Sequence, residues 1–420
     1  MELIPVAPAP PAPDQEVVVR AARLPDPAGD AAYSVVRVDP ERLADATTLD
    51  GALKSVPGFS LYRRTSTLGA NPTTQGVSLR AIAGSGASRA LVTLDGVPQN
   101  DPFGGWVIWS ALPSVAIGSA EIVRGAGAGP YGAGALTGVV RLDSPDDARG
   151  LSGEASGGEL GFREGQAALG AAHGGTRVFL DAAGTESDGW IPVRAGRGAA
   201  DRPLDLHAWS AAGRLEQDIG LATLAARVGG YEEERGAGVV NASSDASGLQ
   251  GSLTLARQPT AQAWGWRLQG WADGSDLYNA SATVSADRNI STPANVQYAT
   301  PALGAGLNAA LRRTTQAFSL ELGGDLRAAT GESRELFGWN AAQLAFSSTR
   351  KAGGETLVAG LYAEGTVRRG RWLLTGGVRA DRWSQDGAER VEAARATGAV
   401  TLDTRPEGRS GVLPTGRLGL

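Results

Sequence analysis

Beyond Pro145 the chain alternates apolar and polar residues in segments of about 9 to 13 residues, the two-residue period of a β-strand with two unlike faces. In one such segment, Phe318, Leu320 and Leu322 fall on one face and the intervening polar residues fall on the other. The same alternation recurs in two further segments, residues 264–273 and 372–381. The pattern predicts antiparallel strands over residues 147–420, although soluble β-sandwiches and membrane β-barrels share it.

The lengths of the connections between these strands favour a membrane barrel. Short turns are predicted near His173–Thr176, Asp218–Leu221, Pro259–Gln262 and Arg369–Arg371. They alternate with long loops, predicted near residues 185–206, 232–248, 274–298, 328–355 and 384–411. Short turns at one end and long loops at the other are typical of transmembrane barrels. Several tryptophans near strand ends fit interfacial girdles, although scattered core tryptophans would fit as well: Trp264, Trp271, Trp372 and Trp383.

The N-terminal part of the chain has a different pattern. Two short apolar runs, Ala90–Leu94 and Ala120–Val123, each end in a glycine turn, and glycine is frequent as far as Gly138. Such a segment predicts short strands joined by tight turns that need a positive φ. An amphipathic stretch from Thr48 to Val56 predicts one small helix, which Pro57 and Gly58 would end.

Three motifs in this region resemble the plug of a TonB-dependent outer-membrane receptor. They are Ser78-Leu79-Arg80, the run Leu91–Pro98 with its Asp-Gly turn, and the run Glu121–Leu142. They occur in the order that the family shows, and the resemblance covers at least Glu16–Leu142. It implies energy-coupled uptake of a scarce ligand too large for porins, most often an iron–siderophore complex, with cobalamin as the alternative.

The resemblance and the strand pattern together predict three regions. Residues 1–29 would be a flexible N-terminal segment, residues 30–146 an α+β plug of mixed short strands and small helices, and residues 147–420 a mainly antiparallel transmembrane β-barrel. About twelve strands are predicted, whereas a barrel that encloses a plug needs about 22. We therefore expect an incomplete barrel, about half of one, and a truncated, non-functional product is an alternative.

Composition narrows the function classes. Lys and Arg total 39 against 44 for Asp and Glu, a formal net charge of −5, so no basic excess indicates nucleic-acid binding. The absence of cysteine excludes disulfides and thiolate metal sites, and the two histidines make a histidine metal site improbable on composition. No catalytic arrangement stands out, so we expect neither an enzyme nor a cofactor or metal. Residues 1–13 lack the features of a signal peptide, and export to the outer membrane of a Gram-negative cell is implied only by the resemblance.

The resemblance assigns the partner TonB to one N-terminal segment. Glu16, Val17, Val18, Val19, Arg20 and Ala21 occupy the position of the family's TonB box. An added strand pairs mainly through backbone hydrogen bonds, which requires an extended, exposed segment. An ordinary first strand of the plug is the alternative.

The resemblance also suggests residues for plug retention and ligand contact. Arg80 and Arg124 would form ion pairs with barrel carboxylates, unless they are simply surface arginines. Ligand contacts are expected from the apical plug loops, at Arg63, Arg64, Asn100, Asp101, Phe103 and Trp106. The loop aromatics could equally pack against the barrel wall. The rivals from another class are a passive porin or a surface adhesin, and neither would carry the plug motifs.

Overall fold

The computed structural model describes residues 22–25, 28–63, 65–80, 85–125, 129–132, 134–147, 150–260 and 262–420. The segment Glu16–Ala21 and Arg64 lie outside the described residues.

The N-terminal domain is built on a five-stranded mixed sheet. Its strands have the order β1-β6-β7-β4-β5, with β4 parallel to β7 and the other pairs antiparallel. The strands are β1 (Val35–Arg37), β4 (Leu91–Leu94), β5 (Val97–Pro98), β6 (Ser119–Arg124) and β7 (Gly138–Asp143). A separate antiparallel pair consists of β2 (Phe59–Leu61) and β3 (Val77–Leu79). The predicted α+β domain of short strands and small helices is confirmed.

Two short helices follow β1 in the chain. They are α1 (Pro40–Asp45), which the Asp39 side chain caps, and α2 (Leu49–Leu53). The helix predicted at Thr48–Val56 therefore exists but is shorter, and the Thr48 side chain makes no cap hydrogen bond. Single 3₁₀ turns lie at Ala28–Ala32, Thr67–Gly69, Pro72–Thr74, Trp109–Ala111 and Ser114–Ala116. No helix among the described residues is long and apolar enough to cross a bilayer.

The core of this domain lies where the central strands are apolar on both faces. Val92, Ile122 and Val140 are completely buried, as a mixed sheet covered on both sides requires. The glycine bias has a steric cause at Gly138, which has φ 145°. A Cβ there would lie 2.3 Å from the main-chain oxygen of Val123, so the strand can pass only without a side chain.

The C-terminal part forms one large antiparallel sheet that curves around the N-terminal domain. Its fourteen strand segments run from β8 to β21. They are β8 (Gly150–Gly157), β9 (Arg163–His173), β10 (Thr176–Ser187), β11 (Leu206–Ile219), β12 (Ala222–Gly236), β13 (Ser243–Arg257), β14 (Gly265–Val284), β15 (Ser291–Ala299), β16 (Ala302–Thr314), β17 (Phe318–Asn340), β18 (Ala345–Arg369), β19 (Trp372–Ala394), β20 (Val400–Thr404) and β21 (Arg409–Gly419). β15 and β16 share one position between β14 and β17, and β20 and β21 share one position beside β19. About twelve strands were predicted, and the fourteen strand segments occupy twelve positions across the sheet.

The alternation read from the sequence separates the two faces of this sheet. Glu321 and Asp381 are buried on the concave face, whereas Leu322 and Val378 are 40% and 65% exposed on the convex face. A sheet whose convex face is apolar and whose concave face carries buried charges is suited to lipid outside and polar contents inside.

Three predicted loops are wrong, because the strands continue through them. β14 extends to Val284, β17 and β18 turn only at residues 341–344, and β19 extends to Ala394. The apolar alternation stops where the strands reach water, but the backbone ladder needs no apolar side chains to continue. The ends of these strands therefore look like loops in the sequence.

Candidate functional site

The contacts of the N-terminal domain orient it inside the curved sheet. Near its N-terminus, the main-chain oxygens of Arg23 and Pro25 accept hydrogen bonds from Gln258 and Arg312, which lie close to the short turns. At the opposite end, Asn71 Nδ2 donates to Asn279 Oδ1 at 2.8 Å, on the side of the longer connections. The chain thus enters at the short-turn end and presents its apex to the other end.

Arginines of the sheet hold the N-terminal domain by its main chain. Arg327 Nη2 donates to the oxygen of Tyr131 at 3.1 Å, and Arg379 Nη1 donates to that of Gly129 at 3.4 Å. Three further arginines do the same, Arg214 to Pro145, Arg235 to Thr67 and Arg312 to Pro25. Because main-chain oxygens accept these bonds, the contacts depend on the backbone path of the domain more than on its side chains.

Each of these arginines also has an acidic partner within the sheet. Arg235 Nε lies 2.8 Å from Glu233 Oε1, and Arg379 Nη1 lies 2.7 Å from Asp325 Oδ2. The remaining pairs are Arg214 with Glu216, Arg312 with Glu321, and Arg327 with Asp325. A sixth arginine of the sheet, Arg417, pairs with Glu364. Each of these positive charges on the concave face is therefore paired with a nearby carboxylate, which limits the free-energy cost of burying these guanidinium groups.

Arg80 and Arg124, predicted to pair with barrel carboxylates, lie on the N-terminal domain itself. Arg124 Nη2 donates to the main-chain oxygen of Pro57, and the Arg80 amide donates to that of Gly58 at 2.9 Å. Neither forms an ion pair with a carboxylate of the described residues, so the predicted role of these two residues stays a prediction. The arginines that do join the two parts, described above, lie on the sheet and donate to main-chain oxygens of the inner domain.

Arg63 does not belong to an exposed ligand site, which corrects the sequence-based assignment. Its side chain is only 5% exposed and lies 3.4 Å from Asp50 Oδ2. The same guanidinium contacts Thr67 Oγ1 and the main-chain oxygen of Thr65. Burial of Asp50 would raise its pKa, but hydrogen bonds and the charges of Arg63 and Lys54 outweigh it and hold that pKa below its usual value. Arg63 is thus an internal support of the apical loop.

The other candidates divide into turn-forming and exposed residues. Asn100 Oδ1 accepts from the Val92 amide at 2.8 Å, and Asp101 Oδ1 accepts from the Phe103 amide at 3.0 Å, so both side chains build the loop. Asp101 Oδ2 also accepts from Ser275 at 2.6 Å and ties the loop to the sheet. Phe103 remains 41% exposed, whereas Trp106 packs on a small buried cluster. Among these described residues, Phe103 offers the most accessible surface.

A cluster of titratable side chains lies near the N-terminal end of the domain. Tyr131 donates to Asp30 Oδ2 at 3.2 Å, and Arg141 lies 3.6 Å from the same oxygen. Burial raises the pKa of Asp30 to about 6, although the positive charges of Arg141 and Arg417 oppose the shift. Arg417 of β21 stacks over the ring of Tyr33 at 4.2 Å, so this cluster joins the domain to the last strand.

Above the apex, polar side chains line the concave face of the long strands. From Asn71 the chain of hydrogen bonds continues through Asn279 to Gln297 at 3.2 Å, and from Gln297 to Ser333 at 3.2 Å. It then passes to Glu335 and the strands beyond. We call this surface the polar wall, consisting of Asn279, Asn295, Gln297, Ser333, Glu335, Arg350, Arg390 and Glu392.

Comparisons with known families agree with this architecture. Residues 27–139 match the family described as TonB-dependent Receptor Plug Domain. Residues 187–420, more than half of the chain, match the family described as TonB dependent receptor-like, beta-barrel. The chain belongs to the TonB-dependent receptor family. Its N-terminal domain is the plug, and its large sheet is barrel wall.

Solved structures of uptake receptors share the fold of this receptor at low sequence identity. The ferric yersiniabactin uptake receptor FyuA from Yersinia pestis superimposes with a TM-score of 0.67 at 13% identity, over 94% of this chain and 62% of FyuA. The ferric citrate transporter FecA, in its unliganded form, gives 0.65 at 16%, over 92% and 60%. The copper transporter OprC gives 0.71 at 15%, over 91% and 61%. This chain therefore spans less than two thirds of the length of these proteins.

No curated protein matches the sequence. The family consists of receptors and transporters, which confirms the expectation of a protein that is not an enzyme.

Sequence reasoning found the plug but missed the polar wall and the barrel arginines. The wall residues lie in segments predicted to be loops, so nothing in the sequence indicated that they share one face. The arginines were visible as inward positions of alternating strands, as Arg379 shows between Val378 and Ala380. Such a position indicates that the arginine side chain is buried, but it does not indicate which group accepts its hydrogen bond.

Proposed function

We propose that this receptor takes up a large, scarce ligand across the outer membrane and that TonB drives the uptake. The observation that supports this proposal is the orientation of the plug. Its N-terminal end contacts Gln258 and Arg312 near the short turns, while Asn71 faces the long connections. In outer-membrane barrels short turns face the periplasm and long loops face outside, so a ligand would meet the apex and TonB would meet the opposite end.

The proposed coupling segment is Glu16–Ala21. It directly precedes Ala22, the first described residue of the plug, on the side assigned to the periplasm. Strand addition to TonB would need only the backbone of this β-branched run. Pulling on it would load the hydrogen bonds between barrel arginines and plug carbonyls.

The proposed ligand is an iron chelate of the siderophore type, with cobalamin as the alternative. Two of the solved relatives named above are described as ferric yersiniabactin and ferric citrate proteins, and a third is described as a copper transporter. A passive porin is disfavoured because the plug occupies the space inside the curved sheet. The apolar convex face, with Leu322 and Val378 exposed, supports placement in the outer membrane.

Val18→Pro in the receptor tests the coupling, because proline removes a backbone donor that strand addition requires. We expect loss of energy-dependent uptake of radiolabelled ferric chelate, with binding to isolated outer membranes retained. Val18→Ala keeps the donor and serves as the matched control. Uptake by Val18→Pro at the level of Val18→Ala would refute the role assigned to Glu16–Ala21.

A further inference from the structure

We propose that the polar wall selects a net-neutral iron chelate that carries both hydrogen-bond donors and acceptors, such as a ferric trihydroxamate, over an anionic chelate such as ferric citrate. This inference rests on the proposed function, since it names the charge class of the ligand. The supporting observation is that each arginine of the wall is paired with a carboxylate of the wall.

Arg350 is the central cation of the wall, and two carboxylates balance its charge. Its Nη1 lies 3.0 Å from Glu335 Oε2, and its Nε lies 2.8 Å from Glu392 Oε1. Cross-strand pairing sets this geometry, because Arg350 is directly opposite Glu335 on one side and Glu392 on the other. The face of the guanidinium lies over the ring of Phe337, 4.5 Å from its centroid. An anionic ligand would therefore meet a guanidinium whose charge two neighbouring carboxylates already balance.

The second cation of the wall is compensated in the same way. Arg390 Nε lies 3.1 Å from Glu392 Oε1, the same oxygen that Arg350 contacts. The wall thus has two guanidinium groups and two carboxylates, and its formal charge is zero. The second oxygen of Glu392 accepts no hydrogen bond from the described residues, and it can accept one from a ligand hydroxyl or amide.

The rest of the wall consists of groups that both donate and accept. Asn295 Nδ2 donates to Glu335 Oε2 at 3.0 Å, and Gln297 links Asn279 to Ser333. Amide and hydroxyl side chains present a donor and an acceptor at nearly the same place. Such a surface matches a ligand with carbonyl, amide and hydroxyl groups, whereas an anion would lose water without meeting a net positive charge.

An apolar patch continues the same concave face further outward. Trp339 and Phe346 are cross-strand partners and pack edge to face, with their ring centroids 5.2 Å apart. Trp339 lies two residues beyond Phe337, so the three rings share one face. Sites for small molecules combine an apolar surface for the ligand body with a few placed polar groups. The wall and this patch together have that composition.

The convex face of the same strands supplies a matched control. There Lys351 lies 2.8 Å from Glu332 and 2.9 Å from Glu389, which repeats the acid–base–acid arrangement on the outside. Glu332→Gln/Glu389→Gln therefore changes the charge of the same strands by the same amount, but on the face opposite the polar wall.

The test is calorimetric titration of the purified receptor with a neutral ferric trihydroxamate and with ferric citrate. We expect the trihydroxamate to bind at least about ten-fold more tightly. In Glu335→Gln/Glu392→Gln, which frees Arg350, ferric citrate should bind about ten-fold more tightly than to the parent, and this gain should fall with added salt. The convex-face double variant should match the parent with both chelates.

Two results would overturn the inference and leave the proposed function intact. One is tighter binding of ferric citrate than of the trihydroxamate by the parent receptor. The other is an equal response of the wall variant and the convex-face variant. Binding of neither chelate, with the receptor folded by circular dichroism, would overturn the inference together with the assignment of an iron chelate as the ligand.

Discussion

Arg235 of the barrel donates a hydrogen bond to the main-chain oxygen of Thr67 at 2.5 Å, and the other edge of its guanidinium is held by Glu233. Both contacts of that edge, from Nε and Nη2, are 2.8 Å long. The side-chain oxygen of Thr67 in turn accepts a hydrogen bond from the guanidinium of Arg63. One apical plug residue thus joins an internal support of the plug to the barrel, and this arrangement explains how the apex is held beneath the polar wall.

Arg235→Met should destabilise the docked plug by about 3 to 5 kcal/mol, because it leaves Glu233 buried without its partner. Arg235→Met/Glu233→Met should cost less, since no uncompensated charge remains. Hydrogen exchange of the amides around Thr67 measures the change. Arg334→Met is the control, because Arg334 is 48% exposed beside Glu332, and such a pair contributes about 0 to 1 kcal/mol. Equal protection in Arg235→Met and Arg334→Met would contradict the role assigned to Arg235.

Arg63→Met should lower the free energy of plug unfolding by roughly 3 kcal/mol, because Asp50 is completely buried and loses a cation. The loss should appear in urea unfolding of the receptor whether or not ligand is present. Lys54→Met is a matched control, since Lys54 contacts the same carboxylate at 3.2 Å but is 39% exposed. A variant Arg63→Met with parental stability and impaired chelate binding would restore Arg63 to the ligand site.

Asp30 should make plug stability depend on pH. Its pKa in the folded receptor is about 6, above the ordinary value of 3.8, so the folded state binds the proton more tightly than the unfolded state. Its contribution is therefore greatest below pH 4 and is lost as the pH rises to about 6, a change of up to roughly 3 kcal/mol.

Asp30→Asn isolates this effect, because the amide cannot titrate while its shape is retained. Unfolding free energies of parent and variant, measured at pH 4 and pH 7, should show a steeper fall in the parent. Parallel pH profiles would show that Asp30 titrates normally in the folded receptor.

Gly138→Ala should destabilise the plug by more than about 2 kcal/mol, since the new Cβ would meet the Val123 oxygen at 2.3 Å and the backbone has a positive φ. Gly165→Ala is the control, because a Cβ there would have no atom within 4 Å. Thermal unfolding compares the two variants. Similar midpoints would mean that the strand can shift to accept a side chain.

Much of the candidate site was beyond sequence reasoning for a physical reason. Asn100 and Asp101 were predicted to contact a ligand, but in the structure their side chains accept hydrogen bonds from backbone amides. Arg63 looked exposed because it lies in a polar run, and only the fold shows that Asp50 and Thr67 surround it. Local sequence reports polarity, whereas burial depends on segments that arrive from elsewhere in the chain.

The sequence by itself determined the strand alternation of the barrel, the short turns at one end and the glycine turns of the plug. The alternation follows from the two-residue period of a strand, and the glycine turns follow from backbone angles that only glycine adopts easily. The tertiary structure decided which acceptors the barrel arginines reach and which polar residues form one wall. Glu335 and Arg350 face each other across one hairpin and Glu392 joins them from the next strand, so strand register makes the three residues neighbours. Register is set by the pairing of whole strands, and no local pattern encodes it.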